Sequence, residues 1–182
     1  ADPAWPPRAS ASSETSGAAR ALWSPGFLAL LATQFLVTLN GNTFRWLVVP
    51  IGKNQVGSDV ALAASSVVFL LPFVLLSVPA GYLADRFSKR TVIVWCKAAE
   101  VAVVALGVAA IVLGSLWWLL LVSMALLACQ AAIFSPSKLG SIPEIVPAES
   151  ISFANGVFGL ATMVALILGT VLGAYLYEQT TA

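Results

Sequence analysis

Hydrophobic residues in this chain come in long blocks that contain no charge. No Asp, Glu, Lys or Arg lies between Arg20 and Arg45, Asp59 and Asp85, Glu100 and Lys138, or Glu149 and Glu178. Helix rises about 1.5 Å per residue, so about 20 apolar residues cross the hydrocarbon core of a bilayer. The pattern predicts an all-α membrane protein with five transmembrane helices, over about residues 25–50, 60–84, 91–113, 116–134 and 153–177. The links are short except for 135–152. Gly114 and Ser115, followed by Trp117 and Trp118, predict a tight hairpin at a membrane interface, where Trp prefers to sit. Residues 1–22, rich in Ala, Ser and Pro, predict a disordered, water-soluble tail, leaving 23–182 as the membrane bundle. Five crossings that stop just after a helix suggest the front part of a larger protein, a six-helix unit short of its last member.

Composition narrows the class. Of 182 residues, 59% are hydrophobic and 9% charged, against roughly 25% charged in soluble domains. A water-facing surface cannot be built from so few charges. The net charge of +1 argues against nucleic acid as a partner. With no His, the chain has no imidazole base or imidazole metal ligand. Cys96 and Cys129 fall in apolar segments and read as small hydrophobes. The Ser/His/Asp and Cys/His sets of acyl chemistry are missing, so neither catalysis, a metal nor a cofactor is expected.

Basic residues set the orientation. With the N-terminus cytoplasmic, the inside carries Arg8, Arg20, Arg86, Lys89, Arg90 and Lys138, and the outside Lys53. The positive-inside rule then places the N-terminus in the cytoplasm and Glu178 outside.

The remaining polar residues carry the functional reading. Between the second and third helices runs Gly81-Tyr82-Leu83-Ala84-Asp85-Arg86-Phe87-Ser88-Lys89-Arg90. It is either a basic loop that only fixes topology or a conformational latch. In the second case Gly81 lets helix backbones approach closely and Asp85 bonds a helix N-terminus or an Arg. The first helix is interrupted by Gln34, Thr38, Asn40, Asn42, Thr43 and Arg45. Polar groups at this depth are costly and face cavities or partner helices. Arg45 has the planar fork that holds a phosphate, or it snorkels to the outer surface near Pro50. Lys97 and Glu100, three apart on the third helix, share a face and are expected to pair, with either a structural or a coupling role. Pro72 and Pro79 favour kinks in the second helix. Gly169 and Gly173 form a small-residue packing spacing in the fifth. Lys138 either attracts anionic headgroups or sets topology.

The Gly81–Arg90 segment resembles the signature loop of the major facilitator superfamily, G-x-x-x-D-R-x-G-[RK]-[RK], with Ser88 where Gly is usual. A Gly there accepts a positive φ that would strain Ser. Several further stretches are similar to the bacterial lysophospholipid transporter branch of that family. They are Gln34, Asn40-Gly41-Asn42, Phe134-Ser135-Pro136-Ser137-Lys138-Leu139-Gly140 before Pro143-Glu144, and Ala154-Asn155-Gly156 with Gly169 and Gly173. Gly41 and Gly159 stand where that branch usually carries acidic residues. The resemblance implies alternating access between two six-helix halves and flipping of lysophospholipids across the bacterial inner membrane. It also implies membrane lipids as surroundings, a C-terminal transporter half as partner, and in some members a fused acyltransferase. On this reading Gln34, Asn40, Asn42 and Arg45 bind substrate. Gly81, Asp85, Arg86, Lys89 and Arg90 control the conformational equilibrium. Two alternatives stay open: export of amphiphilic drugs, and a membrane anchor for a fused acyltransferase.

Overall fold

The computed structural model describes residues 24–114 and 116–181, without the side chains at 84, 85, 89, 136–140, 149 and 181. The tail expected over residues 1–22 lies outside the described residues, as does Ser115 of the hairpin. Five helices follow one another: α1 (Pro25–Val56), α2 (Ser58–Arg86), α3 (Lys89–Val112), α4 (Trp117–Ile145) and α5 (Ile151–Thr181). A 3-10 turn, Ala148–Ser150, precedes α5. Each helix contains a stretch long and apolar enough to cross a bilayer, and no strand occurs among the described residues. The chain is an all-α, multi-pass membrane protein.

Local chemistry sets the helix ends. Ser24 caps α1, its Oγ accepting from the Phe27 amide at 3.3 Å, and Pro25 occupies the first turn, where its missing N–H costs nothing. Gly57 and Gly114, at φ 90° and 102°, make the turns after α1 and α3 in a conformation that side chains disfavour. Ser88 has φ −61°, and its Oγ accepts from the Thr91 amide at 3.2 Å. A positive φ is therefore not required there, and Ser serves as the N-cap of α3.

Two helices outrun their apolar blocks. Where the sequence predicts an end near Pro50, α1 continues to Val56; an internal Pro removes one hydrogen bond but here does not stop the helix. The fourth helix, expected to end near residue 134, runs to Ile145, which takes up most of the predicted 135–152 link. Its apolar stretch is Trp117–Ser135. Beyond it, Ile142 and Val146 bury against Phe27 and Leu30 of α1 and Ala154 and Phe158 of α5. Packing, which hydropathy does not report, extends the helix.

The helices pack by pairs. α1 lies along α5, α2 along α4, and α3 along α4, with α1 also touching α2 and α4. Dividing the chain into α1–α3 and α4–α5, the first helix of each group packs on the second helix of the other. This pairing matches an inverted repeat. One apolar cluster joins Phe44, Val48, Ile51, Ala61, Trp117 and Leu120. Trp117 is correspondingly buried, at 1% exposure, with its ring against Gly52, while Trp118 faces outward. Only one of the two expected interfacial tryptophans is thus placed to meet lipid. Elsewhere large apolar side chains point away from the bundle, among them Val67, Leu70, Val74 and Val78 of α2 and Leu160, Met163, Ile167 and Val171 of α5. In water such faces would be a liability; in hydrocarbon they cost nothing.

Candidate functional site

Gln34, Thr38, Asn40, Asn42 and Arg45 of the first helix line a groove between α1, α2, α3 and α4, to which α5 adds Leu166. It has two adjoining chambers, of about 60 and 250 Å³, which share Val37, Gly41, Phe69, Ala131 and Phe134. Gly41 lines both, beside open space: a Cβ there would meet nothing within 4 Å.

The smaller chamber holds a charged cluster. Lys97 and Glu100, one turn apart on α3, form an ion pair. Asn40 of α1 donates its Nδ2 to Glu100 Oε1 at 3.1 Å. Gln130 of α4 donates its Nε2 to the Cys96 carbonyl and, at 3.4 Å, to Glu100 Oε2. The Lys97 ammonium also lies 5.4 Å from the centre of the Phe134 ring, within cation–π range. Three helices therefore converge on one carboxylate, which removes most of the cost of a charge at this depth.

The larger chamber is edged by Gln34, Thr38, Asn42, Arg45 and Ser135. Arg45 is exposed to it, with its guanidinium 5.5 Å from the centre of the Phe69 ring. Asn42 and Gln34 are committed to the contact between α1 and α5. Asn42 Nδ2 donates to the Leu166 carbonyl at 2.6 Å and to Thr170 Oγ1 at 2.8 Å. Gln34 Nε2 donates to Thr162 Oγ1 at 2.9 Å and to Thr38 Oγ1 at 3.2 Å. Across the described lining of both chambers stand two cations, Arg45 and Lys97, and one carboxylate, Glu100.

The Gly81–Arg90 segment lies apart from this groove. It is mostly helix rather than loop, because α2 runs through Arg86, α3 begins at Lys89, and only Phe87 and Ser88 join them. Gly81 does not mediate a close helix contact: a Cβ there would meet nothing within 4 Å, and α2 and α3 barely touch. Arg86 turns back on its own helix, donating to Tyr82 Oη with its guanidinium 5.8 Å from the ring centre. Arg90 is exposed at the start of α3. The side chains of Asp85, Lys89 and Lys138 lie outside the described set.

Gln130 and Phe134 were not singled out as site residues from sequence. Gln130 stands in the charge-free block that forms α4, and a lone amide in such a block is itself a sign of a polar partner. Phe134 offers no comparable sign, because an aromatic among apolar residues reads as packing.

A model of the Major Facilitator Superfamily matches residues 26–181. The chain is 29% identical over 157 residues to the lysophospholipid transporter LplT of Salmonella heidelberg, covering 86% of this chain and 38% of that protein. It is 28% identical, with the same coverage, to the lysophospholipid transporter LplT of Citrobacter koseri. The chain thus spans well under half the length of these curated relatives. No solved structure matches it. The chain belongs to the major facilitator superfamily.

Proposed function

From membership in the major facilitator superfamily, we propose that the chain forms part of an alternating-access transporter that flips lysophospholipids across the bacterial inner membrane, with its N-terminus in the cytoplasm. The observation that carries this reading is the groove: an apolar trough within a lipid-facing bundle, with few polar anchors and one cation in excess of its carboxylates. A single-chain amphiphile needs shelter only for its headgroup, since its tail stays in hydrocarbon. Arg45 is assigned to the phosphate, for which its fork is suited. Asn40 is assigned to the headgroup beside it, and Asn42 and Gln34, held by α5, shape the rim. The segment from Gly81 to Arg90, including Asp85, Arg86 and Lys89, is assigned to the conformational equilibrium. The similarity to proteins named lysophospholipid transporter supports the substrate class.

The test is a fluorescent-lysolipid flip assay on the full-length protein in liposomes. Arg45→Ala is expected to raise the half-saturating lysolipid concentration about tenfold, the worth of one charge-assisted bond. Asp85→Asn is expected to slow turnover with little change in that concentration. Movement of amphiphilic drugs with lysolipid left in its original leaflet would replace the lipid reading with drug export.

A further inference from the structure

Of the two cations in the described lining of the groove, one has its anion and the other does not. Lys97 is paired with Glu100. The Arg45 guanidinium makes no hydrogen bond or ion pair among the described residues and lies over the Phe69 ring, 5.5 Å from its centre. Phe69 is held in turn. It packs against the apolar cluster around Phe44 and Val48, and its ring centre lies 5.7 Å from that of Phe73, with the planes tilted by 49°. Both rings line the larger chamber together with Arg45. Arg45 stands eleven residues before the end of α1 at Val56, and Phe69 eleven residues after the start of α2 at Ser58. Only Gly57 joins these two helices, so cation and ring lie level, each about 16 Å along its helix from the turn. Helical side chains lean toward the N-terminus of their own helix, so Arg45 leans away from Pro50 rather than snorkelling past it. An unpaired cation at such a depth is costly. A ring face offsets part of that cost while using none of the five N–H donors.

Resting on the reading of Arg45 as the phosphate anchor, we infer that Phe69, backed by Phe73, is a positioning residue for substrate binding. Its ring holds the Arg45 guanidinium over the groove with the N–H donors free for the oxygens of a phosphodiester. Phe69 touches no phosphate itself and acts only through Arg45. A branched aliphatic residue at 69 would fill the same space but offer the guanidinium no electron-rich face. The long Arg45 side chain would then spread over several rotamers, and the cost of ordering it would fall on binding. An aromatic ring at this position therefore contributes to affinity for the anion without contacting it.

The experiment measures binding apart from transport, as thermal stabilisation of the full-length protein in detergent by glycerophosphoglycerol, a phosphodiester with no second charge. Phe69→Leu should raise the half-saturating concentration about fivefold, within the worth of one cation–π contact. Phe69→Tyr keeps the ring face and should stay within about twofold of the wild type. Trifluorophenylalanine at position 69 keeps the packing but drains charge from the ring face. It should match Phe69→Leu, and it serves if the leucine variant fails to fold. In an Arg45→Ala background, Phe69→Leu should change nothing further. Three results overturn the positioning role: equal affinities in Phe69→Leu and Phe69→Tyr, wild-type affinity with the fluorinated ring, or a Phe69→Leu loss that persists without Arg45. The flip assay keeps the two readings apart. A protein whose phosphodiester binding depends on Arg45 and Phe69, but which moves no lysolipid, sinks the transport proposal and keeps the role of Phe69. One that flips lysolipid with an affinity set by Arg45, yet unchanged in Phe69→Leu, does the reverse.

Discussion

α1 presents two faces built from the same kinds of residue, and they do opposite things. Toward α5 it meets Gly169 and Gly173, where the helices come so close that a Cβ at Gly169 would fall 2.7 Å from the Leu39 carbonyl oxygen. One at Gly173 would fall 2.5 Å from the Trp46 Cβ. Toward α3 and α4 the same helix offers Asn40 and Gly41, and there space is left open. On the seam, glycine removes volume so that backbones touch; in the groove, Gly41 borders space that a Cβ would leave open. The amides divide likewise. Asn42 satisfies a neutral carbonyl and a hydroxyl across the seam, whereas Asn40 bonds a carboxylate that is itself paired. Residue type therefore says little until the facing helix is known.

The largest expected effect lies on the seam. Gly173→Leu has to push apart two backbones that have no slack, and overpacking of this kind costs about 3 kcal/mol. Unfolding of the purified protein in detergent, followed by helical circular dichroism, should register it as a large loss of stability. Gly41→Ala is its counterpart in the groove. The added methyl meets open space and replaces a poor helix former, so stability should hold or rise by up to about 1 kcal/mol. Equal losses at the two positions would mean that the seam and the groove are not different kinds of contact.

A smaller effect is expected from the charged cluster, and it should be non-additive. Lys97→Met leaves Glu100 with only amide partners and should cost about 2 kcal/mol, below the 3–5 typical of a fully buried pair because Lys97 is part exposed. Glu100→Gln added to Lys97→Met removes the orphaned charge and should recover most of that loss. A double-mutant cycle by the same unfolding measurement reads the coupling directly. Additive losses would show that the pair contributes nothing as a pair.

These contrasts also mark what the sequence reveals. Charge-free blocks predict the five crossings because hydrocarbon imposes one rule on every segment that enters it. The pairing of Lys97 with Glu100 follows from their spacing alone, since both sit on one helix. Which of Asn40 and Asn42 bonds the carboxylate and which bonds α5 does not, because that depends on where α5 and α3 lie. Nor does the role of Gln130, whose partners lie 30 and 34 residues earlier in the chain, on another helix. Helix ends outside the apolar blocks are equally hidden, as the extension of α4 to Ile145 against α1 illustrates. The Gly81–Arg90 segment reads as a loop because its residues are polar and basic. Ends of membrane helices carry that same composition where they leave the hydrocarbon, so polarity there does not distinguish helix from loop.

The finest division of α1 is also the most exposed to test. Asn42→Ala deletes two donations to α5, and interhelical bonds of this kind average about 0.6 kcal/mol with a ceiling near 1.7. A stability loss of about 1 kcal/mol is expected, with a smaller loss of lysolipid affinity than at Asn40, because the lost partners are the Leu166 carbonyl and Thr170. Asn40→Ala deletes one bond to Glu100, whose carboxylate keeps Lys97 and Gln130. Its cost in stability should be smaller still, yet it removes the group assigned to the headgroup, so the half-saturating lysolipid concentration should rise severalfold. The two substitutions remove the same side chain two residues apart, so helix propensity and volume cancel between them and only the facing surface differs. If Asn42→Ala weakens lysolipid binding while Asn40→Ala leaves it alone, the substrate lies along α5 instead, and the groove has been assigned to the wrong face of the helix.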